Sequence, residues 1–343
     1  MQRKLFSILQ YVFFLGMGLF LVWWQLKTMS PSDRSSFYEA LSQANYWLII
    51  PASFIMLLSH LSRSMRWKLL MRPLNYHPPL SMVFAVTMIG YLANSAIPRL
   101  GEILKCSLLA RYEKLRMDRL FGTILVERIF DFLCFILFIG LTILIQLDTV
   151  DDFINKALGK TDLDGKAILW RYLLLTLVIV LIVSLLKYLS VKFPDSLLFS
   201  KIHALLKGMK EGITSILSLQ AKKAFLIHTL VIWALYLLQI FIGFYAMPAT
   251  SALPVSAAFS VLSLATVAMI ITPGGIGSFP IFVMQVLALY QVDDPVGKAF
   301  GWLMWGVNTA VVILAGCISL LVIPYLHQKN KRIDSSVSDK LNN

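Results

Sequence analysis

Ile97-Pro98-Arg99-Leu100-Gly101-Glu102 interrupts an apolar run that reaches from Leu80 to Ala110. Thr272-Pro273-Gly274-Gly275-Ile276-Gly277 interrupts a second run, from Ala257 to Tyr290. An unbroken helix satisfies every backbone group inside lipid, whereas a Pro-Gly break frees several of them at high cost. Such breaks persist only where protein or a water-filled cavity shields them. Paired breaks in corresponding parts of two halves point to a transport-type site near the membrane midplane.

The rest of the chain has the composition that this requires. Of 343 residues, 58% are hydrophobic and 14% charged, which excludes an ordinary soluble domain. Six stretches reach or approach the roughly 20 residues that cross a bilayer: 5–25, 46–61, 120–146, 168–189, 224–247 and 299–325. The first follows Arg3-Lys4 as a signal peptide would. It is longer than a signal core, lacks a small-x-small cleavage site and ends in Trp23-Trp24, so it is expected to remain as an anchored span.

The formal charge of +13 would suggest nucleic acid in a soluble chain. Here the basic residues have a simpler home beside the membrane. The segment 62–79 carries Arg63, Arg66, Lys68 and Arg72 with no acid, 99–119 carries six Lys or Arg, and 187–223 carries seven Lys. The segment 148–166 holds Asp148, Asp151, Asp152, Asp162 and Asp164. Positive-inside reasoning then expects both termini and the basic loops in the cytoplasm, and no nucleic-acid partner. The three cysteines have no C-x-x-C spacing, and no two of the five histidines are close enough to suggest a metal pair. Neither a metal nor a cofactor is expected.

Threading this charge rule through the six spans gives a consistent path only if both broken runs are re-entrant, 80–110 from the cytoplasm and 257–290 from the opposite face. The expected fold is therefore an all-α polytopic membrane protein, with six full spans and two re-entrant helical hairpins in an inverted-repeat arrangement. Residues 1–146 form its first half. Residues 147–223 hold an acidic external loop, a span and a cytoplasmic amphipathic helix over 197–219. Residues 224–325 complete the second half, and 326–343 form a loose polar cytoplasmic tail.

Candidate site residues cluster at the breaks and at one charged turn. Glu127, Arg128 and Asp131 fall inside the third span, and Glu127 and Asp131 share a helix face. Charges at that depth pair, face the interior and mark a pathway, or else lock two helices together. We expect them to act in gating or ion coupling. Arg99, Glu102 and Lys105 follow the first break, where a helix N-terminus and a planar guanidinium would suit a phosphate. Gly274, Gly275, Gly277 and Ser278 offer a similar cradle from the second. For Arg63, Arg66, Trp67 and Lys68, an interfacial anchor is the simpler account.

At these motifs the chain resembles the flippase-like transmembrane family named after lysylphosphatidylglycerol synthase. The matching residues are Arg66-Trp67-Lys68, Gly90-Tyr91-x-x-Asn94, Pro98-Arg99-Leu100-Gly101-Glu102, Val126-Glu127-Arg128-x-x-Asp131 and Thr272-Pro273-Gly274-Gly275-Ile276-Gly277. The resemblance covers about residues 45 to 325 and adds Arg66 and Asn94 to the candidate substrate-binding set. It implies a domain that, in the bifunctional members, moves aminoacylated phosphatidylglycerol between leaflets. Two departures stand out: no soluble aminoacyl-transfer domain is expected here, and Ser278-Phe279-Pro280 stands where the family often places an acid.

The leading expectation is a lipid flippase or lipid-linked-substrate transporter of a bacterial cytoplasmic (inner) membrane. Its partner would be a phospholipid with an anionic or aminoacylated headgroup, and a homo-oligomer is compatible with the sequence. The alternative is a membrane enzyme acting on a polyprenyl or phospholipid phosphate. No H-x-x-x-x-D pattern or aspartate-rich metal motif supports it. A third reading is an accessory subunit with no transport of its own.

Overall fold

A computed structural model describes residues 16–25, 27–97, 99–146 and 219–342, with side chains described as far as residue 328. The expected span 168–189, the acidic loop 148–166 and all but the last residue of the expected amphipathic helix 197–219 lie outside the described residues, as do residues 5–15 of the first span. Among the described residues the fold is all helical, with no strand. Two units make up the chain: Met1–Leu125 with Leu219–Asn343, and Val126–Ser218.

Helical residues 16–25 are followed by α1 (Pro31–Ser42), α2 (Ile49–Met71), α3 (Leu80–Ala96), α4 (Leu100–Glu113) and α5 (Met117–Ile145). Beyond the undescribed stretch come α6 (Lys222–Phe244), α7 (Val255–Ile271), α8 (Ser278–Ala288) and α9 (Asp294–Asn342). Among the described residues, four helical stretches are long and apolar enough to cross a membrane: Tyr46–Leu74, Met117–Ile145, Lys222–Phe244 and Asp294–Gln328. They fall on four of the six expected spans, and the protein is a multi-pass membrane protein.

Three expectations need correction. The segment 62–79 is not a basic loop from its start, because α2 continues to Met71 and carries Arg63, Arg66 and Lys68 within it. The two arginines are tolerated because α2 lies along α6, whose polar side chains receive them. The polar tail is helical, since α9 runs on to Asn342. A span that is already helical has met the cost of nucleation, so each further residue adds one hydrogen bond. Finally, α1 lies in a stretch with no expected element. Its start is written in Ser30-Pro31-Ser32-Asp33, where the Ser30 hydroxyl accepts from the Asp33 N–H at 3.1 Å and proline occupies the first turn.

Each broken run forms two helices that pack against each other, α3 on α4 and α7 on α8. Their lengths are 17 and 14 residues, then 17 and 11. At about 1.5 Å per residue even the longest arms reach only ~26 Å, short of a ~30 Å hydrocarbon core. The bounds of α3 and α7, 80–96 and 255–271, are both displaced by 175 residues. Helices α2 and α6 each have 23 residues and precede the two hairpins. They meet running in opposite senses: Arg66 reaches Phe225 and Thr229, while Arg63 reaches Tyr236.

Helix α9 is the spine of the first unit, packing on α3 of one hairpin and α8 of the other. Small residues permit the close approach. A Cβ on Gly301 would come within 2.6 Å of the Pro280 Cα, and one on Gly316 within 2.6 Å of the Leu92 Cβ. Beside it, Trp67, Met71, Met82, Val83, Val86, Ile89, Cys106, Leu109, Leu120 and Ile124 form a buried core that seats the first hairpin on α2 and the start of α5.

Candidate functional site

The two breaks share one backbone pattern. Helix α3 ends on Ile97 in extended conformation (φ −134°, ψ 115°), with its N–H donating to the Ala93 carbonyl at 2.8 Å. Helix α7 ends on Thr272 in the same way (φ −119°, ψ 149°), with its N–H donating to Ala268 at 3.2 Å. Two residues later the backbone turns left-handed, at Arg99 (φ 67°) and at Gly274 (φ 61°). These pairs keep the 175-residue displacement of the preceding helices.

At the first break the groups freed by the interruption are satisfied locally. The Asn94 side-chain oxygen accepts from the Gly101 N–H at 2.7 Å, so α4 is capped from the helix before it. Gly101 packs directly against the Gly90 carbonyl and the Asn94 side chain, where any Cβ would collide. Arg99 is exposed at the mouth of α4, and Glu102 is half-buried in its first turn. One turn on, Lys105 is buried with Nζ 3.9 Å from the Trp67 ring centre. Trp67 in turn donates to the Thr123 hydroxyl at 2.8 Å.

The second break is satisfied from a distance. Trp305 on α9 donates its indole N–H to the Gly274 carbonyl at 2.8 Å, and Gln25 donates to the Gly277 carbonyl at 2.8 Å. Ser278 bonds the Thr272 hydroxyl at 2.6 Å and donates to the Ala268 carbonyl at 3.0 Å, tying α8 to the last turn of α7. At Gly277 (φ 73°) a Cβ would stand 2.7 Å from the Gly18 carbonyl oxygen, so helical residues 16–25 close tightly over this turn. Gly275 is buried, and the whole stretch from Val255 to Tyr290 contains no charged residue.

The breaks face each other. Helix α3 touches the turn Pro273–Gly275, and the Cβ position of Gly274 lies 4.0 Å from the Ser95 Cα. Beside them, a polar seam runs between α2 and α6. Arg63, mostly buried, donates to the Tyr236 hydroxyl at 3.2 Å, and fully buried Arg66 donates to the Thr229 hydroxyl at 3.2 Å. The Arg66 guanidinium also lies 5.4 Å from the Phe225 ring centre, and Ser62 bonds His228 Nδ1 at 2.9 Å. On α5, Glu127 is buried, Asp131 half-buried and Arg128 exposed.

The structure thus brings the last turn of α3, just before Arg99, to the Gly274 turn and gives Asn94 and Ser278 bonds that hold the two breaks together. It buries Arg66, for which the sequence favoured an interfacial anchor. Sequence reasoning missed Gln25 and Trp305, which supply the donors at the second break. An apolar segment ending in Gln25, and an indole within a span, were the signals available. Among the described residues no group of three or more His, Cys, Asp or Glu could hold a metal ion.

The Lysylphosphatidylglycerol synthase TM region family model matches residues 7–333. The chain belongs to that family. It is also 22% identical over 320 residues to the UPF0104 membrane protein MJ1595 of Methanocaldococcus jannaschii, covering 85% of this chain and 90% of that protein. No solved structure matches it.

Proposed function

We propose that this member of the family is a lipid flippase or lipid-linked-substrate carrier, rather than an enzyme, acting in a bacterial inner membrane with both termini cytoplasmic. In this reading α3–α4 and α7–α8 are re-entrant hairpins entering from opposite faces. The headgroup sits where their tips meet, its phosphate at Arg99 and the start of α4. The equal displacement of α3 and α7 and the opposite senses of α2 and α6 support an inverted repeat, the architecture of rocking, alternating-access carriers. Glu127, Arg128 and Asp131 serve as gate or coupling groups.

One observation carries the reading. Arg99 holds the left-handed position that Gly274 fills in the other repeat. A non-glycine residue there costs about 1–2 kcal/mol, so the guanidinium is retained at the expense of the backbone. The test is headgroup translocation in proteoliposomes with phosphatidylglycerol, phosphatidylethanolamine and lysyl-phosphatidylglycerol. Protein-dependent translocation of at least one lipid is expected, with strong loss in Arg99→Ala. Rates equal to protein-free vesicles for all three would overturn the proposal.

A further inference from the structure

Ser59 and His60 are consecutive residues of α2, in the part of the fold where α3 and α6 both pack on it. Ser59 is completely buried and His60 is 6% exposed. The Ser59 hydroxyl and both ring nitrogens of His60 have no hydrogen-bond partner among the described residues. Buried polar atoms without partners are rare and costly, and three on adjacent residues mark a place where a polar guest belongs.

Local chemistry does not relieve them. A serine inside a helix commonly bonds back to the carbonyl four residues earlier. Ser64 does this one turn on, donating to the His60 carbonyl at 2.9 Å, and Thr87 on α3 does the same to Val83. Ser59 does not. His60 packs its ring against Tyr91 of α3, with centroids 4.8 Å apart, and this contact leaves both nitrogens unengaged.

We infer that Ser59 and His60, walled by Tyr91, form a binding site for the hydroxyl groups of a polyol headgroup such as glycerol or a sugar. A neutral imidazole offers one donor and one acceptor, and a serine hydroxyl offers both. A bare anion would use only the donors, and an ammonium group only the acceptors. A vicinal diol answers both at once, and an aromatic face beside it suits the carbon side of such a group.

The inference rests on the carrier reading and sharpens it, because the site adjoins the first break. Tyr91 precedes Ile97 by six residues of α3 and its cap, about 9 Å at 1.5 Å per residue. A headgroup with its phosphate at Arg99 can therefore extend its hydroxyls along α3 towards His60. The buried cations Arg63 and Arg66 continue the same helix beyond it.

The experiment compares binding of phosphatidylglycerol and phosphatidylmethanol to the full-length protein in nanodiscs by native mass spectrometry. Both lipids carry one negative charge, and only the first has a diol. The wild type should prefer phosphatidylglycerol about tenfold, as one well-placed hydrogen-bond pair would give. Ser59→Ala and His60→Leu should bring the two lipids level while leaving phosphatidylmethanol binding unchanged, and His60→Gln should keep part of the preference. Equal binding of both lipids by the wild type overturns the inference alone, with the three atoms then serving only internal water. So does a preference that survives His60→Leu. Failure to bind either lipid overturns this inference, whereas the carrier reading stands or falls on the translocation assay.

Discussion

The first break keeps its strained position for an arginine and closes itself with a neighbouring asparagine. The second gives the same position to glycine and borrows its donors from Gln25 and Trp305, far away in the chain. The backbones agree and the chemistry does not. Cationic side chains gather at the first, while the arms of the second carry no charge at all. The two hairpins thus differ as a charged break closed from within and a neutral break anchored by the rest of the fold.

The largest effect should come from the close approach inside the first hairpin. Gly101→Val forces a branched side chain into the Gly90 carbonyl and Asn94, where overpacking costs 1–3 kcal/mol or more. Little folded protein should survive detergent extraction and size-exclusion chromatography. The comparable change at the second break, Gly274→Ala, meets only an ordinary contact, with the Ser95 Cα at 4.0 Å, and loses only about 1 kcal/mol from its positive φ. If Gly101→Val extracts and elutes as the wild type does, α3 and α4 do not cross at these glycines.

Next in size is the separation of local from remote support. Trp305→Phe removes the donor to the Gly274 carbonyl, and Gln25→Met removes the one to Gly277. Each leaves a shielded carbonyl short of its partner, at roughly 1–3 kcal/mol. Asn94→Ala removes one cap and should cost ~1 kcal/mol. Thermal unfolding in detergent should rank the three in that order. An Asn94→Ala loss larger than that of Trp305→Phe would mean that the first break, not the second, leans on its surroundings.

What was legible in the sequence follows from the same physics. Long apolar runs and their Pro-Gly interruptions declare themselves, so four spans and both hairpins could be placed before any coordinates. Charge misled at α2. Arg63, Arg66 and Lys68 read as a loop because nothing local shows that Tyr236 and Thr229, more than 160 residues away, wait for the two arginines. The residue-level correspondence of the two breaks was nearly silent for a related reason. It is kept by helix lengths and backbone turns 175 residues apart, while Arg99 and Gly274 share φ and nothing else. Gly90 and Gly101 look like ordinary helical glycines until the two arms are laid across each other.

The smallest change in stability should be the most telling about function. Replacing Arg99 by glycine relieves a left-handed strain of about 1–2 kcal/mol, of which the greater freedom of glycine in the unfolded chain takes back roughly 0.5–1 kcal/mol. Arg99→Gly should therefore be as stable as the wild type or up to ~1.5 kcal/mol more so, and it makes the first break resemble the second. Its translocation rate should nonetheless fall by about ten- to a hundredfold, the worth of one charge-assisted hydrogen bond to a phosphate. Arg99→Lys keeps the charge and the strain but loses the fork, so it should fall between the two. A stable Arg99→Gly protein that moves lipid at the wild-type rate would show that the charge difference between the breaks is incidental, and the phosphate would have to be held elsewhere.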